Sequence, residues 1–282
     1  MRNMSKNQTV ILITGASSGI GFETAVLLAR RGFLVYGGFR KSAGEAKIRE
    51  IAEAEDLPLK AVRLDLLDQN SIKEAVEKIA RENGGRIDVL VNNAGYGLKG
   101  FLEDCSREEI GTQFATNFFG TVEVIKAALP FLRASGNGKI ITIGSVAGRI
   151  GFPGMSVYSA SKFGLEAITD ALRIELRPFN IQVTTIQASA LKTDFDKNVV
   201  LAKNAQNENS PYFAYSQKLV QGSGKRRSDP GLVVEEILRA VKAKKMKRRY
   251  LAGRKIRLIL LLKFLLPRTW FEWLLRGPMK RA

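Results

Sequence analysis

The stretch Val10-Ile11-Leu12-Ile13-Thr14-Gly15-Ala16-Ser17-Ser18-Gly19-Ile20-Gly21 decides the fold. Its first four residues are apolar and rich in β-branching, the mark of a buried strand. A helical pattern follows from Phe22 to Arg31. Strand, glycine-rich turn and helix in this order is the setting a dinucleotide-binding loop requires. Glycine at positions 15, 19 and 21 permits a tight turn and close approach of backbone to a pyrophosphate. The helix start contributes free N–H groups and the positive end of the helix dipole. Gly15, Ser17, Ser18, Gly19, Ile20 and Gly21 are therefore the first candidate cofactor-binding residues. The spacing is G-x-x-x-G-x-G, which differs from the G-x-G-x-x-G of longer dehydrogenases.

Outward from this stretch, strands and helices alternate. Strands are expected over residues 9–14, 33–39, 59–66, 87–91, 139–144 and 181–187. Helices are expected over 19–31, 43–55, 70–83, 107–132 (with Pro130 near its end), 157–177 and 232–241. Such alternation predicts an α/β fold with a doubly wound parallel sheet and ligand at the carboxyl ends of the strands. Gly15, Asn92 and Ser145 each follow a strand, so one crevice collects them.

A second constellation lies in Tyr158-Ser159-Ala160-Ser161-Lys162, thirteen residues after Ser145. Four residues apart on a helix is one face, which sets an ammonium beside a phenol. A free phenol titrates near ~10. A neighbouring cation favours the phenolate and moves it toward the range useful for acid–base work. Ser145 can hold a substrate oxygen by hydrogen bond.

These motifs together resemble the short-chain dehydrogenase/reductase family, and the Arg/Leu-rich tail resembles that of its hydroxysteroid- and retinol-dehydrogenase-like members. The resemblance is carried by Thr14-Gly15-x-x-x-Gly19-Ile20-Gly21, Asn92-Asn93-Ala94-Gly95, Ser145 and Tyr158-x-x-x-Lys162, with Asn117 where the family has its fourth catalytic residue. It covers roughly residues 9–193. It implies a Rossmann-like sheet of about seven strands, a nicotinamide cofactor and reversible carbonyl/alcohol chemistry. By the same resemblance Tyr158 donates or accepts the proton, and Ser145 orients the substrate oxygen. Lys162 binds the nicotinamide ribose and tunes the tyrosine, while Asn117 holds a water in the proton relay. Asp65, Leu66, Asn92, Ala94, Gly95 and Thr193 are carried over as further cofactor contacts. One departure is Ala188-Ser189, where the family usually has Pro-Gly.

The residues after the second strand choose between the two nicotinamide cofactors. An acid there suits the ribose 2′-hydroxyl of NAD, and an arginine suits the 2′-phosphate of NADP. Phe39 stands near the acid's place and Arg40-Lys41 follow, so NADP (NADPH) is expected and NAD is less favoured. The glycine loop itself adds no Lys or Arg.

Composition narrows the classes. The chain has no histidine and one cysteine, Cys105. That removes His-based hydrolases, His-based metal sites and any intrachain disulfide, and points to a reducing compartment. No metal site is expected. No signal peptide is visible, and no apolar run is long enough to span a bilayer. A cytoplasmic protein is expected, with peripheral membrane contact through its tail. Net charge is +18, unevenly distributed. From Arg239 onward there are fifteen Lys/Arg against one acid, Glu272, a net +14. That segment interleaves cations with Leu, Phe and Trp. It reads either as a membrane-surface helix or as helices packed on the body or on a partner copy. A nucleic-acid partner is disfavoured, because the charge lies among large aliphatics.

The expected organisation is a frayed start over 1–8, a catalytic domain over 9–252 with a substrate lid at 192–229, and a basic, apolar helical extension over 253–282. The leading function is NADP-dependent interconversion of a carbonyl and an alcohol on an apolar, steroid- or retinoid-like substrate, by a homodimer or homotetramer. The alternatives are reduction of a 3-oxoacyl thioester, with the tail drawing in an acidic carrier, and a non-catalytic NADP-binding sensor or adaptor.

Overall fold

The computed structural model describes residues 8–188, 199–221, 229–253, 256–276 and 279. The apolar run at the start forms strand β1 (Val10–Ile13), buried along its whole length. Helix α1 (Gly19–Arg30), β2 (Leu34–Phe39), α2 (Ser42–Ala54), β3 (Leu59–Arg63), α3 (Gln69–Glu82) and β4 (Val89–Asn92) complete the first half. The second half holds β5 (Gly97–Lys99), α4 (Arg107–Phe114), α5 (Thr121–Ala134), β6 (Lys139–Ser145), α6 (Ser156–Glu175) and β7 (Gln182–Ala188). Beyond it come β8 (Val199–Leu201), α7 (Phe213–Gln221), α8 (Gly231–Lys242), β9 (Arg249–Ala252), α9 (Ile256–Leu265) and α10 (Arg268–Leu275).

Seven strands form one sheet in the order β3-β2-β1-β4-β6-β7-β9, and each of its pairings is parallel. Strand order reverses direction between β1 and β4, which opens the crevice that doubly wound sheets use for ligands. Alternate residues feed two cores. Ile11, Ile13, Val35, Ile141 and Ile186 pack with α1 and α8 on one face. Val10, Leu12, Leu34, Ile140 and Val183 pack with α3, α5 and the end of α6 on the other. Both faces are covered, so these strands are near-continuous apolar runs.

The structure differs from the sequence reading in three places. The single helix expected over 107–132 is interrupted by a π turn, Ala115–Gly120, which carries Asn117. Helical periodicity does not register one extra residue in a turn, and such π bulges gather at functional sites. The basic stretch around residues 243–250 supplies an edge strand, β9, because Tyr250 and Ala252 turn inward while the cations stay at the rim. Finally, within the polar stretch read as a lid, residues 199–221 carry structure. Strand β8 pairs with β5, and Tyr212, just ahead of α7, stacks on Phe101 at 4.5 Å. No helix of the described residues is long and apolar enough to cross a membrane.

Lys139 at the start of β6 shows how the sheet holds α8. It is 9% exposed, and its ammonium donates to the carbonyls of Val241 (2.6 Å) and Ala243 (2.8 Å) at the end of that helix. Burial lowers its pKa. Lys139→Met leaves these carbonyls unpaired inside, which costs about 1–3 kcal/mol. The expected result is a lower urea midpoint with an unchanged slope and an unchanged circular dichroism spectrum in the native state.

Candidate functional site

The glycine turn after β1 is built around positions no side chain can occupy. Gly15 and Gly19 have positive φ, 67° and 52°. A Cβ on Gly21 would lie 2.2 Å from the Gly15 carbonyl oxygen and 2.4 Å from Asn93 Nδ2. A Cβ on Gly15 would meet Ala94 Cα at 2.8 Å. The turn is thus pressed against the loop after β4. Ser18 is the N-cap of α1 but makes no side-chain capping bond, and the first turn of α1 contains no acid. Exposed N–H groups, a positive dipole end and bare backbone form a cradle that fits a pyrophosphate. Ser17, Ser18, Gly19 and Ile20 border it, each partly exposed.

The loops are joined by two residues whose linking role the sequence reading did not assign. Thr14 Oγ1 accepts hydrogen bonds from the N–H groups of Asn93 and Ala94, both at 3.0 Å. Asn93 Nδ2 donates to the carbonyls of Thr14 (3.0 Å) and Gly15 (3.1 Å). The motif Asn92-Asn93-Ala94-Gly95 was visible, but which asparagine bridges depends on strand pleat. Asn92, the residue chosen from the sequence, is the last of β4 and 4% exposed. Its amide has no hydrogen-bond partner among the described residues.

Ser145 ends β6, and its Oγ accepts from the Ala147 N–H at 3.1 Å. Tyr158 and Lys162 stand one turn apart on α6 and are both buried, 6% and 7% exposed. Tyr158 is hydrogen-bonded to Ser145, so the predicted trio is assembled. The ammonium, however, lies 6.0 Å from the Tyr158 ring centroid and donates to the Ile143 carbonyl at 2.9 Å. Burial dominates both groups. It pushes the Tyr158 phenol up to about 12, with the Ser145 hydrogen bond pulling the other way. It brings the Lys162 ammonium down to about 8, against the field of Glu166. In this arrangement burial outweighs the Ser145 hydrogen bond at the phenol and the Glu166 charge at the ammonium.

Asn117 sits in the π turn, 1% exposed, and closes a two-way bridge to Tyr96. Its Nδ2 donates to the Tyr96 carbonyl (2.8 Å), and its Oδ1 accepts from the Tyr96 N–H (3.0 Å). Its own carbonyl accepts from Thr121 Oγ1 at 2.9 Å. Gly95 lies against it, since a Cβ there would be 3.0 Å from Asn117 Oδ1. Asn117 thereby ties the π turn to the chain that follows β4.

At the far end of the crevice, Phe39 turns into the core (7% exposed) while Arg40 and Lys41 are exposed. Lys41 is the N-cap of α2, and Gly44 in its first turn would place a Cβ 2.6 Å from Ser17 Cβ. The cations, the start of α2 and the Ser17 hydroxyl are thus gathered in one place. Asp65 is partly committed to its own turn, accepting from the Leu67 N–H at 3.1 Å. Leu66 is buried against Gly120 of the π turn. Thr193 and Ser189 lie outside the described residues, while Ala188 closes β7 opposite Ser145. The site residues that are described therefore line the carboxyl edge of β1, β2, β3, β4 and β6. Among the described residues no His/Cys/Asp/Glu cluster could hold a metal.

Known proteins are similar to this chain in sequence and in fold. The family model for short chain dehydrogenases matches residues 9–204. A 3-ketodihydrosphingosine reductase of Bacteroides thetaiotaomicron is 41% identical over 215 residues, which is 75% of this chain and 76% of that protein. Human 17-beta-hydroxysteroid dehydrogenase type 1 is 34% identical over 86% of this chain and 77% of its own. A solved short-chain dehydrogenase from Streptomyces avermitilis superposes with a TM-score of 0.79 at 29% identity, over 97% of this chain and 99% of that one. On the strength of the match across residues 9–204 and of relatives alike over most of their length, the chain belongs to the short-chain dehydrogenase/reductase family of NAD(P)-dependent oxidoreductases.

Proposed function

We propose that the protein uses NADPH to interconvert a ketone and a secondary alcohol on a large apolar substrate, working from the cytoplasm at a membrane surface. The observation that carries the reading is Ser145 hydrogen-bonded to the buried Tyr158, with the buried Lys162 one helical turn along, at the same carboxyl edge of the sheet that carries the glycine turn. The bound nicotinamide would supply or accept the hydride. In the reducing direction Tyr158 gives its proton to the substrate oxygen as the carbonyl carbon gains hydride. Ser145 donates a hydrogen bond to the same oxygen and holds it toward Tyr158. Lys162, charged, holds the nicotinamide ribose and offsets the negative charge left on Tyr158. Asn117, anchored on Tyr96, presents the turn from which a water returns a proton. A phenol raised to about 12 is fully protonated at neutral pH, which suits a donor.

Three observations support the finer parts of the reading. The buried Phe39 followed by exposed Arg40 and Lys41 offers cations and no carboxylate where the 2′-phosphate of NADPH would lie. The names of two relatives describe a keto sphingosine and a hydroxysteroid, each an oxygen function on a large apolar skeleton. In the tail, α9 and α10 expose Leu258, Leu261, Phe264, Trp270 and Trp273, with Phe264 85% exposed, in a segment of net charge +14. Apolar side chains among cations suit an anionic bilayer surface. Paired packing of α4, α5 and α6 between copies, giving a homodimer or homotetramer, completes the reading.

An NADPH-oxidation screen over ketosteroids, retinal and acetoacetyl thioesters tests the function. Turnover only of the thioester favours the 3-oxoacyl reading, and no turnover with tight NADPH binding favours a sensor. Tyr158→Phe should lower kcat by ~10²–10⁴-fold with NADPH binding nearly unchanged. Rates within a few-fold of wild type would show that the proton comes from elsewhere. Arg40→Asp should weaken NADPH far more than NADH, since it replaces a phosphate clamp with a repulsive charge. Equal losses would remove Arg40 from cofactor choice. For the tail, vesicles with anionic lipid should pellet the full-length protein at low salt and release it as salt rises, because each Lys or Arg near the surface contributes ~1 kcal/mol. Indifference to such vesicles would return α9 and α10 to a packing role.

A further inference from the structure

Tyr158, Lys162 and Glu166 recur every four residues on α6, so one stripe carries the phenol, the ammonium and a carboxylate. Glu166 is 5% exposed, an uncommon place for an acid. Its Oε1 accepts from Gln187 Nε2 of β7 at 3.0 Å, and its Oε2 accepts from Arg249 Nε of β9 at 2.9 Å. It also rests on β6 and the turn after it: a Cβ on Gly144 would lie 3.0 Å from Oε1, and one on Gly148 would lie 3.1 Å from its Cγ. Gly144 directly follows Ile143, whose carbonyl holds the Lys162 ammonium. Arg249 in turn pairs with Asp170, one more turn along α6, whose side chain is 40% exposed. Charges of alternating sign therefore run from the buried Lys162 through Glu166 and Arg249 to Asp170 at the surface.

Packing alone does not require an ionised acid at position 166. An amide there would still fill the gap between three strands and accept from Arg249. Burying a carboxylate costs several kcal/mol unless it is paired, and here a guanidinium has been brought from the sheet edge to pair it. Among the described residues, these charged and polar groups surround the row of Lys162 and Glu166. Helix α6 contributes Tyr158, Glu166 and Asp170, and β9 contributes Arg249. Strand β6 contributes the Ile143 carbonyl and the Ser145 hydroxyl, and β7 the uncharged Gln187 amide.

We propose that Glu166 is a positioning residue of the reaction: by seating on Gly144, Gln187 and Arg249 it holds the Lys162 helix turn against the end of β6 and keeps the ammonium charged beneath Tyr158. This rests on the function proposed above, in which a charged Lys162 serves both proton transfer and cofactor binding. Without the negative charge of Glu166, Lys162 loses its proton at lower pH. The active form, protonated Tyr158 beside charged Lys162, then disappears earlier as pH rises.

The test is the pH profile of NADPH-dependent carbonyl reduction, from 6 to 9.5, for wild type, Glu166→Gln and Glu166→Asp. In parallel, the NADPH dissociation constant is followed over the same range by protein fluorescence. Wild type should show an alkaline limb near the Lys162 value of about 8. In Glu166→Gln that limb should move down by on the order of one pH unit, with kcat affected more than the substrate KM, and NADPH affinity should fall off at the same lower pH. Glu166→Asp keeps the charge and should keep the limb near its wild-type place. A uniform loss of rate with unmoved limbs in both measurements would make Glu166 merely structural and overturn the proposal. If Glu166→Gln does not fold, Asp170→Asn at the exposed end of the charge row replaces it, with a smaller shift of the same sign expected and no shift overturning the idea. If wild type reduces no carbonyl, the proposed function fails on its own, and the NADPH titration still decides the role of Glu166.

Discussion

The sheet can hold a cofactor only if the ends of β1 and β4 stay close enough to leave no room for side chains between them. Thr14 and Asn93 impose that closeness. One hydroxyl receives two N–H groups, and one amide reaches two carbonyls. Backbone groups that leave a strand end would otherwise need water or ligand partners. Here they are satisfied by the neighbouring loop, so the turn is rigid before any ligand arrives. Gly15 and Gly21 are consequences of this, since a Cβ at either would strike the opposing loop. The position of α1, and with it the anion cradle, follows from the same lock.

The other half of the site lives under an opposite constraint. Tyr158 and Lys162 are placed where water cannot solvate their charged forms, and the protein counters only part of that cost. Ser145 steadies the phenol and Ile143 the ammonium, while Glu166 supplies the opposing charge. A group kept neutral in such surroundings responds strongly to any new neighbour. A cofactor's ribose arriving in the crevice is therefore expected to shift the proton balance of both groups.

Much of this was readable in the sequence, for definite reasons. Periodicity and glycine placement located six of the seven sheet strands, because parallel strands buried on both faces are written as unbroken apolar runs. The pair at 158 and 162 was readable because helix spacing converts directly into proximity, while Ser145 was placed by the family's motif order. Strand β9 was not, since at a sheet edge only Tyr250 and Ala252 are committed inward and the cations mask the pattern. Nor was the choice between Asn92 and Asn93, which is a matter of which side of a pleat a residue faces. The partners of Glu166 come from strands 21 and 83 residues away in sequence, a distance no local pattern spans.

The π turn at Ala115–Gly120 has a consequence of a different kind. Because it accommodates one residue more than an α-helical turn would, the helices on either side of it are out of phase by about 100°. The face that α4 turns to β5 through Gln113 on one side and the sheet-packing face of α5 on the other are each correct only with that offset. Deleting a single residue here would leave a smoother, intrinsically better helix in which one of the two faces points the wrong way. The surplus residue therefore works like a frame shift written into three dimensions, and it makes this short stretch intolerant of length changes that an ordinary surface helix would absorb at its ends.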